Sequence, residues 1–286
     1  MAEPAYGGLW ARHLTHRAVQ DALAHALTIR HVHPAGEVGS TQDVALRLAV
    51  DGAANGTVVV ADRQTAGRGR GGRRWDDHPD GGTLALTVLL DVDAVPHVEL
   101  VPLAFGLAML DAFASVLPST VDVRLKWPND VVHRAADGSM RKLCGILIER
   151  DRAAERDVLL GGVGVDVDLR DVRDVEGRTC LAALAGSRPD PVRLLAAVVG
   201  ALDDALGLLA RPVALLDRYR SRSDTIGREV RVEIDGGAPI VGLAEDVDDS
   251  GRLVVTTADR RHAILSGTVR DAADAVDAPG VEGSGA

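Results

Sequence analysis

Around Thr225 the hydrophobic period of the chain changes, and that change limits the fold more than any composition does. Downstream, only short β-type runs remain: 228–234, 239–246, 252–257 and 261–266, parted by Asp235-Gly236-Gly237, Asp249-Ser250-Gly251 and Asp259-Arg260-Arg261. Strands so evenly spaced by turn residues form a small β-barrel or sandwich. Upstream, helical spacing and two-residue alternation take turns. The pattern predicts helices over 10–28 (Leu14, Ala18, Leu23, Leu27), from Ser40 to about Val50, over 97–117 ahead of Pro118, and over 191–219. Ser40 as N-cap with Asp43 three residues on predicts a capping box. β-rich runs are Thr57–Ala61, Thr83–Leu90, Val121–Trp127, Leu143–Glu149 and Val158–Val165. In Val121–Trp127 the alternation puts Asp122, Arg124 and Lys126 on one face, and Pro128 ends the strand. The expected class is α+β. A mixed α/β unit covers 1–224, a small β unit covers 225–270, and an Ala/Asp/Gly-rich disordered tail covers 271–286.

A chain of 286 residues makes one large domain or two. Its 46% hydrophobic and 26% charged residues exclude bulk disorder. There is no apolar run of about 18 residues to span a membrane. Met1-Ala2-Glu3-Pro4-Ala5 lacks the basic and apolar regions of a secretory signal, which predicts a cytoplasmic protein. Cys144 and Cys180 are too few for a disulfide scaffold or a four-thiolate metal site, and Cys144, in an apolar strand, reads as a small buried hydrophobe. A net charge of −10 opposes a general nucleic-acid binder, which needs excess cations to displace phosphate counterions. His13, His16, His25, His31 and His33 fit no metal-ligand spacing and read as solvated histidines on a helix face.

Of the 32 basic residues only two are lysines, Lys126 and Lys142, and asparagine also occurs only twice, at Asn55 and Asn129. A drift toward arginine leaves lysine where a planar guanidinium cannot replace a compact ammonium. Lys126 opens Lys126-Trp127-Pro128-Asn129-Asp130, and Lys142 opens Lys142-Leu143-Cys144-Gly145-Ile146-Leu147-Ile148-Glu149. The first cluster makes a plausible ligand edge, yet Pro-Asn-Asp is equally good chemistry for a strand exit. The segment 62–74 holds five arginines against one aspartate. Gly67, Gly69 and Gly72 match a dinucleotide fingerprint on paper, but no helix follows to meet a pyrophosphate. A lone segment in an acidic chain also differs from repeated RNA-binding Arg/Gly tracts. The remaining reading is an ordered loop whose glycines and guanidinium forks wrap an anionic ligand, without a P-loop.

Four signatures in order then resemble the biotin protein ligases: Ser40-Thr41-Gln42, Gln64-Thr65-Ala66-Gly67-Arg68-Gly69-Arg70, Lys126–Asp130 and Lys142–Glu149. The resemblance spans about 38–270 and implies a catalytic domain related to class II aminoacyl-tRNA synthetases, followed by an SH3-like barrel. It implies ATP-dependent formation of biotinyl-5′-AMP, then transfer of biotin to a lysine of a carboxyl carrier domain of an acyl-CoA carboxylase, with Mg²⁺ escorting the pyrophosphate. By the resemblance, Ser40, Thr41, Gln42, Gln64, Gly67, Arg68, Gly69, Arg70, Lys126 and Gly145 bind biotin. Arg70, Arg73, Trp75, Trp127, Asn129, Asp130, Lys142, Asp166 and Arg270 bind the nucleotide, and Lys126, Arg68 and Arg70 supply catalytic charge. It assigns no metal ligands. One departure stands out: Gly162-Val163-Gly164-Val165-Asp166 ends on an aspartate where the family usually shows asparagine, and a carboxylate cannot donate as an amide does. Only 39 residues precede Ser40, too few for the DNA-binding domain of regulatory members, so no repressor function is expected. The expected state is a monomer or weak homodimer. A lipoyl or octanoyl protein ligase of the same fold is the alternative.

Overall fold

The computed structural model describes residues 9–78, 80–169 and 177–272; the expected tail beyond 272 lies outside the described residues. The chain begins with α1 (Leu9–His13) and α2 (Arg17–His25), then β1 (His31–Pro34), β2 (Glu37–Val38), α3 (Thr41–Val50), β3 (Thr57–Ala61) and β4 (Arg63–Gln64). β5 (Thr83–Asp91) and α4 (Val101–Ala114) lead to four strands, β6 (Val123–Lys126), β7 (Asp130–Arg134), β8 (Met140–Ala153) and β9 (Arg156–Asp166). Three helices follow, α5 (Leu181–Ala185), α6 (Pro191–Leu208) and α7 (Pro212–Arg222). The last strands are β10 (Glu229–Glu233), β11 (Ile240–Val247), β12 (Leu253–Thr256), β13 (Arg261–Ile264) and β14 (Thr268–Asp271).

Seven strands form one mixed sheet in the order β1-β3-β5-β9-β8-β7-β6. Only β1 and β3 pair in parallel; the other neighbours are antiparallel. α4 is apolar all round because it is enclosed, with Phe105 and Phe113 fully buried between the sheet and α6. Two of the helices expected from periodicity, 10–28 and 191–219, are each broken in two. The first pauses before Arg17, where the His16 Nδ1 accepts from the Ala18 N–H at 3.2 Å and caps α2. The second stops at Leu208 and restarts with Pro212 in its first turn, the position where proline's missing N–H costs nothing. The capping box is half formed. Ser40 Oγ accepts from the Gln42 N–H at 3.3 Å, but Asp43 turns outward to Arg68.

The C-terminal strands form a five-stranded antiparallel sheet, β13-β12-β11-β10-β14. Among the described residues no ladder joins β13 to β14, so the expected barrel is an open sheet. Asp271, expected in the tail, ends β14 opposite Val230. Val230, Val232, Val247 and Leu253 share one continuous apolar core with Phe105 and Trp127 of the larger sheet. No described helix is long and apolar enough to cross a membrane.

Candidate active site

One cleft opens over β8 and β9, and a loop closes it from above. The floor is glycine because a side chain has to sit where its Cβ atoms would be. A Cβ on Gly145 would lie 2.8 Å from Cζ3 of Trp75, and one on Gly164 would lie 2.8 Å from Nε1 of the same ring. On Gly162 it would meet the Gln42 amide at 3.1 Å.

The loop is an ordered flap. Gly69 N–H donates to Arg73 O at 2.7 Å and Trp75 N–H to Gly67 O at 3.0 Å, which makes 67–75 a hairpin. Gly71 and Gly72 turn its tip at φ 64° and 72°, the left-handed region that side chains avoid. Two arginines tie it down. Arg68 bridges Asp43 at 2.7 Å and Glu149 at 3.1 Å, so it spans from α3 to β8. Arg70 donates to Asn129 Oδ1 at 3.1 Å and to Ser266 Oγ at 2.5 Å, joining the flap to the β6–β7 turn and the C-terminal sheet. Asn129 in turn gives its amide to Ile146 O at 2.6 Å.

At one end of the cleft a proton chain is fixed in direction. Thr87 donates to Thr41 Oγ1 at 2.8 Å, and the Thr41 hydroxyl and N–H both donate to Gln64 Oε1, at 3.1 and 2.9 Å. With its oxygen occupied twice, Gln64, which lines the cleft, has only its NH₂ left to offer. Buried Gln42 is already spent, donating to Leu147 O at 3.1 Å and Leu160 O at 3.2 Å. It pins α3 to the sheet.

At the other end stands Lys142. A bulge in β8 places Cys144 opposite Val131 but Lys142 opposite Val132, leaving Leu143 extra. Leu143 and Cys144 are therefore both buried, while Lys142 and Gly145 both face the cleft. Burial pushes the Cys144 thiol well above its usual range. Lys142 Nζ contacts Asp130 Oδ1 at 2.6 Å and lies 5.4 Å from the Trp75 ring centroid.

Of the expected site residues, Ser40, Thr41, Gln42, Gln64, Arg68, Gly69, Arg70, Arg73, Trp75, Asn129, Lys142 and Gly145 line this one cleft. Six do not. Gly67 lies at the base of the flap, where a Cβ would be 2.6 Å from Trp75 O. Lys126, half-buried at the end of β6, is paired in register with Asp130; burial depresses its pKa against the pull of Asp130, Asp271 and Asp224. Trp127 is buried between the two sheets, its N–H donating to Thr225 Oγ1 at 2.9 Å and its Nε1 to Gly251 O at 3.0 Å. Asp130 stands behind Lys142 as its counter-ion. Arg270 pairs with Glu233 at 3.4 Å in an adjoining hollow that Arg68, Arg70 and Ser266 also line. Asp166 is wholly buried and gives its carboxylate to Arg178, whose Nε is 2.9 Å from Oδ2 and whose Nη2 binds Oδ1. Burial raises Asp166 to about 6 even though Arg178 and Lys142 pull the other way.

Sequence reasoning missed Arg178, one arginine among thirty with no motif around it. It also missed Ser266 and Thr87, which reach the site only through the fold. His16 stays exposed while it caps α2, and His31 and His33 are exposed as well but lie on strand β1, not on the expected helix face.

Comparison with known proteins agrees with this geometry. A model of the biotin/lipoate A/B protein ligase family matches residues 36–168, and a model of the biotin protein ligase C terminal domain matches 225–269. A biotin--[acetyl-CoA-carboxylase] ligase of Mycobacterium tuberculosis is 36% identical over 268 residues, covering 90% of this chain and 95% of that protein. Its counterpart in Paracoccus denitrificans is 30% identical, covering 76% of this chain and 90% of that one. Among solved structures, the biotin protein ligase from Aquifex aeolicus in complex with biotin and ATP superposes with a TM-score of 0.72 at 27% identity, over 85% of this chain and 100% of that one. The chain described here belongs to the biotin protein ligase family.

Proposed function

We propose that the cleft under the arginine flap holds biotin and MgATP together, with Lys142 as the cation between them. The chain is an ATP-dependent biotin ligase: biotin and ATP give biotinyl-5′-AMP and pyrophosphate, and a carrier lysine then takes the biotin. The observation that carries the site reading is that the donor-rich end, Lys142 and the flap enclose one cavity.

The head group of biotin is a cyclic urea, with an acceptor oxygen flanked by two N–H donors. Gln64, with its oxygen committed to Thr41, offers an NH₂ to the urea oxygen. Ser40 Oγ accepts from Gln42 N–H, which leaves its hydroxyl proton to give to the ligand. The apolar tail then runs along Leu86, Ile146 and Val163 toward Lys142.

Attack of a carboxylate on the α-phosphorus brings two anions together, so positioning and charge carry most of the rate. Lys142 supplies that charge from inside the cleft, with Arg70 and Arg73 above it. Lys126 takes a supporting place behind Asp130. Among the described residues no three His, Cys, Asp or Glu side chains gather to hold a metal. Mg²⁺ is read as arriving with the nucleotide, as substrate. The mixed anhydride must be kept from water, and the flap clasped by Arg68 and Arg70 does this. The acceptor is a carrier domain of an acyl-CoA carboxylase, which approaches the mouth between flap and C-terminal sheet.

Labelled biotin, MgATP and a purified carrier domain test the reading against lipoate. Label is expected on the carrier from biotin alone; labelling from lipoate at a comparable rate would overturn it.

A further inference from the structure

The Trp75 indole fills the floor of the cleft, yet nothing hydrogen-bonds the ring there. Its Nε1 is buried with no partner among the described residues. Two cations reach its ring: Lys142 Nζ at 5.4 Å and the Arg178 guanidinium carbon at 5.2 Å from the centroid. They differ in commitment. Lys142 faces the cavity and, on the reading above, has to meet incoming anions. Arg178 has no such freedom. Its backbone is clamped to β8, where Lys142 N–H donates to Gly177 O and Thr179 N–H to Lys142 O, both at 2.8 Å. Its side chain is forked onto both oxygens of Asp166, a carboxylate with no exposed surface. Asp166 also continues the row Gly162, Gly164, Asp166 on one face of β9, so the strand that makes the floor also anchors the arginine.

We propose that Arg178 is a positioning residue: pinned by Asp166, it holds the Trp75 indole over Gly145 and Gly164 and so fixes the wall against which Lys142 meets its substrates. The ion pair stands where the family's usual asparagine would leave a neutral amide. It converts a contact position into a brace. The proposal rests on reading the cleft as the adenylation site. The charged groups facing Asp166 are Arg178, Lys142 and Asp77.

The test reads Trp75 directly, as the emission of the intact chain minus that of Trp75→Phe, without substrates. In Arg178→Gln and Asp166→Asn this difference spectrum is expected to shift to the red, and less so in Arg178→Lys. Wild type is expected to make the same shift as pH falls through about 6, and Asp166→Asn to show no such step. Biotin-dependent pyrophosphate exchange is expected to fall by about tenfold or more in Arg178→Gln, mainly in kcat, with partial recovery in Arg178→Lys. An unmoved emission in folded Arg178→Gln overturns the proposal, and so does a moved emission with full exchange. If circular dichroism shows Arg178→Gln unfolded, Arg178→Lys and the wild-type pH step decide in its place. Wild type lacking exchange altogether would instead overturn the biotin reading, leaving emission to decide the role of Arg178.

Discussion

Lys142 and Lys126 carry the same charge on β8 and β6, but the cleft wall contains only Lys142. An ammonium that stabilises charge developing on phosphoryl oxygens acts only within contact distance, in a site that excludes water. Lys142→Gln should therefore lower adenylation by on the order of 10²–10³-fold. Lys126→Gln, whose ammonium lies near enough to Lys142 to be repelled by it, should lower the rate less than Lys142→Gln does, as read by single-turnover formation of biotinyl-AMP. Scarcity of lysine in the sequence pointed to both positions. What separates them is the β8 bulge, and neither composition nor spacing encodes a one-residue slip in a ladder. Asp166 makes a second prediction at this scale. Its folded pKa lies at about 6, above the ordinary 3.8, so the stabilising state is the protonated one. That contribution is complete below about pH 4 and is lost as pH rises through about 6. Between pH 7 and pH 5 wild type should recover roughly 1 kcal/mol relative to Asp166→Asn in urea unfolding, and parallel pH profiles would contradict this.

On the proposed reading, catalysis and containment meet in the flap. Its glycines and arginines are legible in the sequence, because the stretch between two β-rich runs has no helix to be part of. Its anchors are not, since Arg70 finds Asn129 and Ser266 at separations of 59 and 196 residues. Removing the clasp should open the flap without removing Lys142. Arg70→Gly is thus expected to form biotinyl-AMP but release it early, so that hydroxylamine traps far more of it in solution than with wild type. A leak no greater than wild type's would mean the clasp does not contain the intermediate. Elements with long periodic cores, α3, α4, β5 and β9, were recoverable from pattern alone. β1, β2, β4, β7 and β14, of two to five residues each, were not. So short a strand carries too few alternations to stand out, and its pairing is fixed by neighbours distant in sequence.

Across the whole molecule, Trp127 is the joint. It is almost completely buried, bonded through its backbone to Thr225 and through its indole to Gly251, and it belongs to the core that both sheets share. Arg134 adds an ionic strut, 2.7 Å from Asp224 and 3.4 Å from Asp271 of β14. Trp127→Ala should cost about 3–5 kcal/mol, the usual range for emptying a large aromatic site, with loss of a single cooperative urea transition. The family signature around Trp127 is thus in part the signature of a domain joint, which explains why its motif reads as a ligand edge in sequence and as core in space. If one cleft, charged by Lys142, activates biotin with ATP, radiolabelled pyrophosphate should exchange into ATP only with wild type and biotin, when wild type and Lys142→Gln are compared with biotin, with lipoate or with neither. Exchange driven by lipoate, or undiminished in Lys142→Gln, would mean that the cleft does not work this way.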